Sequence, residues 1–308
     1  MVAQGFMNEF PEGIRSATLD SVVHIDDDVV NVEAAKAIDQ RLLSIFADCE
    51  AQQICGRDYP DLEQRFWNEV NRLNETPATI RLVSEEFEVD HDVSFDGKDL
   101  VYYAQLKLER SNTMKFVPYR LDRVIRGNYS DVRLEMLEDL EDSLVSFGTM
   151  LSTRCTQSTF NDTSALTTLP IHQTIIDREL DSYNSMLLIC NSWETDKANK
   201  LEISISSINI PTLILNGEFD IRTPSADAVT VSQLLNQAYF VEIPDTGHGV
   251  ILKSCARIIA DSFLENPYNQ PDVGCVDEVE PLIFYKPDFK STSETILNFS
   301  WKQWPFLR

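Results

Sequence analysis

Two side chains in this sequence have the types and the spacing to share a proton. Asp220 lies in the stretch Gly217-Glu218-Phe219-Asp220-Ile221-Arg222-Thr223-Pro224, and His248 lies 28 positions later in Pro244-Asp245-Thr246-Gly247-His248-Gly249. An aspartate that accepts from an imidazole fixes the ring's tautomer and stabilises the imidazolium formed when the ring takes a proton from a nucleophile. Each residue alone has a plainer reading, Asp220 as a helix cap and His248 as a loop histidine between two glycines. The pair, in this order behind consecutive strands, favours an acid–base couple. A metal site is disfavoured, because the four histidines, His24, His91, His172 and His248, form no H-x-x-H or H-E-x-x-H spacing. No cofactor is expected.

For the two side chains to meet, they must stand over neighbouring strands of one sheet. Pro211 to Leu215 form a short apolar strand ending at Asn216-Gly217, and Ala228, Val231, Leu234 and Leu235 form a helical stripe. Tyr239 to Ile243 form a second strand, and Ile251, Cys255, Ile258, Ile259 and Phe263 mark a helix that stops at Asn266-Pro267. This alternation is a parallel α/β unit. In such a sheet reactive groups gather at the carboxyl ends of strands, where Asp220 and His248 both fall.

Upstream, Met1 to Met7 run into Asn8 as an amphipathic helix, and Ile14 to Val23 read as a strand covered on both faces. Ala35, Ile38, Leu42, Ile45 and Phe46 recur at helical spacing, and a second helix starts at Asp61 with Leu62, Phe66, Val70 and Leu73 on one face. From Ala78 to Leu108 the period falls towards two, and Asp96-Gly97 between Val93–Phe95 and Leu100–Tyr103 predicts a hairpin turn. Residues 131–151 read as helix, with Leu137 to Asp142 as a solvated face. From Cys155 to about Asn209 serine, threonine and other polar residues dominate, which predicts loops and short elements around Met186 to Ile189.

Across its 308 residues the chain carries 26 Lys+Arg against 50 Asp+Glu, a formal charge of −24, on a composition that is 43% hydrophobic. Such a body is repelled by phosphates, which argues against nucleic acid and anionic membrane surfaces as partners. No apolar run approaches the roughly 20 residues that span a bilayer. The six cysteines admit two readings: buried reduced thiols, or three local bridges, Cys49–Cys55, Cys155–Cys190 and Cys255–Cys275, in an oxidising compartment. The sequons at Asn74, Asn128, Asn161 and Asn298 suit a secretory route without requiring one.

Residues 210 to 275, with Ile210-Pro211, Asn216-Gly217-Glu218-Phe219-Asp220, Thr223-Pro224, Ile243 to Gly249, Cys255, Phe263 to Pro267 and Cys275, resemble the C-terminal region of the tripeptidyl-aminopeptidase-like α/β-hydrolases, relatives of the prolyl aminopeptidases. The likeness extends back through Cys190 to Trp193, Cys155, the Cys49/Cys55 loop with Tyr59-Pro60, and Phe10-Pro11-Glu12 with Arg15, Leu19 and Asp20, and so covers nearly all of the chain up to about Leu282. It implies an α/β class and an incomplete α/β-hydrolase fold, the last strands of the parallel sheet with a large, mostly helical lid insertion. Residues 1–28 would be a helix and strand of the hydrolase core and 29–205 the lid. Residues 206–282 would carry Asp220 as triad acid and His248 as triad base, and 283–308 would form a tail.

One departure shapes the functional expectation. An α/β-hydrolase presents its nucleophile on a G-x-S-x-G turn, and no such pentapeptide occurs in this sequence. Matching Phe10-Pro11 and the strand at Ile14 to the family pattern, the resemblance implies that the serine would stand roughly four residues before Met1. Ser21 and Ser192 are the substitutes by position, but neither has flanking glycines. A second departure follows Cys155, where relatives place a glutamate for the substrate's amine and this chain has Thr156-Gln157. Gln157 and Glu194 are therefore the candidate substrate-binding residues. The expectation is the C-terminal part of an exported serine peptidase, secreted or periplasmic, that releases N-terminal residues or short peptides. It would act on a peptide or small ester or amide and be inactive alone. The competing expectation is a non-catalytic, hydrolase-like peptide-binding protein.

Overall fold

The computed structural model describes residues 2–24, 32–85, 88–141, 146–157, 162–193, 195 and 208–285. Three parallel strands, β1 (Ala17–Asp20), β4 (Thr212–Gly217) and β5 (Ala238–Ile243), form a sheet in the order β1-β4-β5. Asp20 stands opposite Leu215, and Gly217 opposite Ile243. A separate antiparallel pair, β2 (Ala78–Ser84) and β3 (Val89–Phe95), completes the strands of the described residues.

The apolar run of β4 is explained by its two covered faces, since successive side chains point to opposite sides. Ile214 packs on one side with Met7 of helix α1 (Val2–Glu9), Leu19, and Ala228 and Val231 of the helix Ser225–Leu234. Leu213 and Leu215 pack on the other with Ile243, Val250, and Ile259 and Phe263 of the helix Ser254–Glu265. This is the layered α/β arrangement that the resemblance implies, a parallel sheet with helices on both faces. Strand β1 is shorter than the stretch Ile14 to Val23 read from sequence, because Ser21 leaves the strand with a positive φ of 56°.

A larger, mostly helical cluster lies between β1 and β4 in the chain. Its helices include α2 (Val32–Ala51), α3 (Gln53–Asp58), α4 (Leu62–Glu75), α5 (Gly97–Leu108), α6 (Ser111–Met114), α7 (Val117–Ile125), α8 (Ser130–Glu141), α9 (Phe147–Gln157), α10 (Ser164–Thr167) and α11 (Gln173–Ser192). The stripes Ile38, Leu42, Ile45 and Leu62, Phe66, Val70, Leu73 meet in its core, which also takes in Phe219 and Ile221 from beside Asp220. This helical mass is thus packed directly against the acid loop.

Two sequence expectations fail here. Asp96-Gly97 is not a hairpin turn: β2 and β3 are joined around residues 85–88, and Asp96 caps α5. The Asp96 carboxylate accepts from the N–H groups of Lys98 and Asp99, and the Asp99 carboxylate accepts from the Asp96 N–H, a reciprocal capping box. A side chain at Gly97 would collide with the Val70 carbonyl, so the glycine serves close approach to α4 rather than a turn. The second failure is α11, a helix of 20 residues where loops were expected. His172 caps it through Nδ1, which accepts the Thr174 N–H, while Ile175 and Ile176 bury its first turn.

All six cysteines are paired, as Cys49–Cys55, Cys155–Cys190 and Cys255–Cys275, which overturns the reading of reduced thiols. The first closes the α2–α3 corner, the second ties α9 to α11, and the third holds the helix Ser254–Glu265 to the segment at Cys275. No described helix is long and apolar enough to cross a membrane. The aromatics Trp301, Trp304 and Phe306 lie outside the described residues, as do Asn161 and Asn298.

Candidate active site

Asp220 and His248 meet. Asp220 follows β4 and His248 follows β5, and the carboxylate Oδ2 lies 2.9 Å from the imidazole Nδ1. The Asp220 side chain is fully buried, whereas the His248 side chain keeps 31% of its surface exposed. The bond leaves Nε2 as the nitrogen that can take a proton from a group outside the pair. Nε2 has no hydrogen-bond partner among the described residues.

The acid is held by more than the imidazole. Oδ1 of Asp220 accepts the N–H groups of Arg222 and Thr223 at 2.9 and 2.8 Å, and Oδ2 accepts the Thr223 hydroxyl at 2.7 Å. Thr223 Oγ1 also lies 3.1 Å from His248 Nδ1. Burial pushes the Asp220 carboxyl up, but His248 and the Thr223 donors outweigh it and leave the group below the usual carboxylate range. Asp220 is therefore an ionised acceptor. It does not cap the following helix, whose N-cap is Pro224.

The loops that carry the pair come close because Gly217, at the end of β4, has no side chain. A Cβ there would overlap the carbonyl oxygens of Thr246 and Gly247. Behind Asp220, the buried amide of Asn216 donates to the carbonyls of Gly217 and Thr223, closing the acid loop on its own strand.

The helical mass grips both loops. Arg41 of α2 donates to the Glu218 carbonyl at 2.6 Å and stacks over the Phe219 ring with its guanidinium carbon 3.4 Å from the centroid. Burial pulls this guanidinium down to about 10, against the raising influence of Glu218 and Asp48. On the base side, the His248 N–H donates to the Glu109 carbonyl at 2.8 Å, and the Gly247 N–H donates to Ser111 Oγ at 3.0 Å. The Glu109 carboxyl is raised by burial, with Arg222 and His248 pulling it back. Spacing in the sequence assigns no site role to Glu109 or Thr223. Thr223 had a signal in its position three residues after Asp220; Glu109 had none, being 139 residues before His248.

Neither candidate serine is part of this arrangement. Ser192 sits at the end of α11 and its hydroxyl donates to the Leu188 carbonyl. The Ser21 hydroxyl donates to Asp20 Oδ1 and accepts from the Gly249 N–H, with no bond to His248. Glu194 lies outside the described residues, as does the side chain of Gln157, whose backbone ends α9. Among the described residues no group of three His, Cys, Asp or Glu side chains is arranged to hold a metal ion.

Residues 180–275 match the family described as TAP-like protein, which therefore covers β4, β5, Asp220 and His248. Among solved structures, the chain is similar to MGS-M2, an α/β hydrolase enzyme from a Medee basin deep-sea metagenome library, at 13% identity and a TM-score of 0.34. That likeness covers 88% of this chain and 62% of the other, so this chain spans less than two thirds of that structure's length. No curated protein matches it. Over residues 180–275, the segment that supplies β4, β5 and both members of the Asp–His pair, the chain is similar to the TAP-like α/β-hydrolases.

Proposed function

We propose that this chain carries the acid and base of a serine hydrolase, a peptidase acting near peptide N-termini, whose nucleophile is supplied by polypeptide outside these 308 residues. The observation that carries the reading is the 2.9 Å bond between Asp220 and His248 at the carboxyl ends of adjoining parallel strands. In this reading Asp220 holds the ring in the tautomer with Nδ1 protonated. His248 Nε2 takes the proton of a serine hydroxyl and returns it to the leaving amine. Residues 29–205 act as a lid over the site, and the substrate's amino end is received there, by Gln157 and Glu194. The outer edge of β1 is unpaired among the described residues, and Phe6 and Phe10 of the neighbouring N-terminal segment are exposed, which suits the addition of a further parallel strand. Three disulfides support an oxidising compartment, periplasmic or extracellular.

Aminoacyl- and peptidyl-naphthylamides test this directly. The 308-residue chain is expected to show no turnover, since Asp and His have nothing to activate without a nucleophile. A product extended at its amino end to include a G-x-S-x-G segment is expected to hydrolyse them, and Asp220→Asn in that product to lower kcat by about 10⁴-fold. Full activity in a His248→Ala version would refute the proposal. Tight peptide binding by the extended product without any hydrolysis would instead favour the binding-protein reading, to which the missing G-x-S-x-G lends its support.

A further inference from the structure

The imidazole of His248 is aimed by its ring bond to Asp220, but its backbone is tied down by a strand 228 residues earlier. Three consecutive N–H groups after His248 donate to two consecutive residues at the end of β1. Gly249 donates to Ser21 Oγ at 2.9 Å, and Val250 and Ile251 donate to Asp20 Oδ1 and Oδ2, each at 3.0 Å. Ser21 directs its own proton to Asp20 Oδ1 at 3.1 Å, which leaves a lone pair for Gly249.

Two features make this clamp specific. Ser21 holds a φ of 56°, a left-handed conformation that costs a non-glycine residue free energy. Its N–H still donates to the Leu215 carbonyl at 2.9 Å, so the backbone reverses immediately after the last ladder bond. The carboxylate and the hydroxyl thereby both face the base loop. On the far side of His248, Glu109 and Ser111 hold the N–H groups of His248 and Gly247. Five successive N–H groups, from Gly247 to Ile251, are thus satisfied by side chains or carbonyls from other elements.

We propose that Asp20 and Ser21 are positioning residues for His248: by fixing the three peptide groups behind it, they hold Nδ1 at bonding distance from Asp220. The inference deepens the hydrolase reading and rests on it for its catalytic meaning, but its geometric content is testable in the 308-residue chain as it stands. A carboxylate taking two N–H groups is a charge-assisted contact, stronger than the neutral bonds around it.

The test is imidazole NMR on uniformly ¹⁵N-labelled chain, following the hydrogen-bonded Nδ1–H proton of His248, assigned by its disappearance in Asp220→Asn. In wild type this signal is expected to be present and slow to exchange with water. Asp20→Ala is expected to abolish it. Asp20→Asn keeps one acceptor and should leave a weakened signal that exchanges at least ten-fold faster. Ser21→Gly removes the hydroxyl while favouring the left-handed backbone, so it perturbs the clamp without threatening the fold. It too should accelerate exchange. His24, His91 and His172 serve as internal controls whose ring signals stay in place. A purely structural role would lower the thermal midpoint of these variants and leave the Nδ1–H signal intact, and that result would overturn the proposal. Absence of the signal in wild type would sink the Asp–His couple itself, an outcome distinct from its persistence in the variants.

Discussion

Thr223 shows how much of an acid's behaviour is decided by one neighbouring hydroxyl. It gives Asp220 both a backbone and a side-chain donor, and both favour the ionised form. Because the folded-state pKa of Asp220 is depressed, its contribution to stability is present above the unfolded value and is lost as pH falls through the folded one. Thr223→Val removes one donor and so raises the folded pKa. Acid unfolding is expected to begin at higher pH, with a loss of about 1–2 kcal/mol at neutral pH, measured by denaturant melts at several pH values. Glu109 is the opposite case. Burial raises its carboxyl, so its stabilising contribution is full below the unfolded pKa and is lost as pH rises through the folded value. Glu109→Gln keeps the carbonyl that holds His248 and removes the buried charge. Its thermal midpoint should exceed wild type at pH 7 and converge with it in acid. An equal gain at both pH values would disprove the assignment. Neither effect is legible in sequence, since both depend on which side chains fold together.

At the level of elements, amphipathic stripes were the reliable signal. Ile38, Leu42 and Ile45 in α2, and Leu62, Phe66, Val70 and Leu73 in α4, are buried at the spacing that marks them in the sequence. Composition misled where a terminus or a covalent tie outweighed propensity. Asp-Gly is the residue pair of a tight hairpin, yet Asp96 spends its carboxylate on a capping box and Gly97 on contact with α4. Segment 173–192 contains serines and asparagines that weaken a helix locally, but a cap at His172, two buried isoleucines and a disulfide at Cys190 stabilise it. The Cys155–Cys190 link closes a 35-residue separation, for which chain entropy corresponds to about 3–4 kcal/mol. Replacing both cysteines with serine is expected to lower unfolding free energy by about that amount. The loss should appear as earlier hydrogen exchange in α9 and α11 while β4 and β5 stay protected. Uniform loss of protection would argue against a local tie.

For the molecule as a whole, the sequence alone determined the parts whose determinants are local or periodic: the parallel α/β unit, the strand ends that bear Asp220 and His248, a net charge of −24, and the absence of a G-x-S-x-G pentapeptide from these 308 residues. It left open whether the cysteines are thiols or bridges, because pairing requires Cβ atoms to be brought within a few ångströms. Only the tertiary structure decided that, and it also decided how the site is supported. Arg41, Glu109, Ser111, Asp20 and Ser21 reach the two loops from elements far away in the chain. No spacing rule links such residues, since their proximity is created by the packing of a helical mass and an edge strand against the same two β–α turns. Hydrogen bonds of this kind are satisfied after the chain has folded back on itself, and they are visible only in three dimensions.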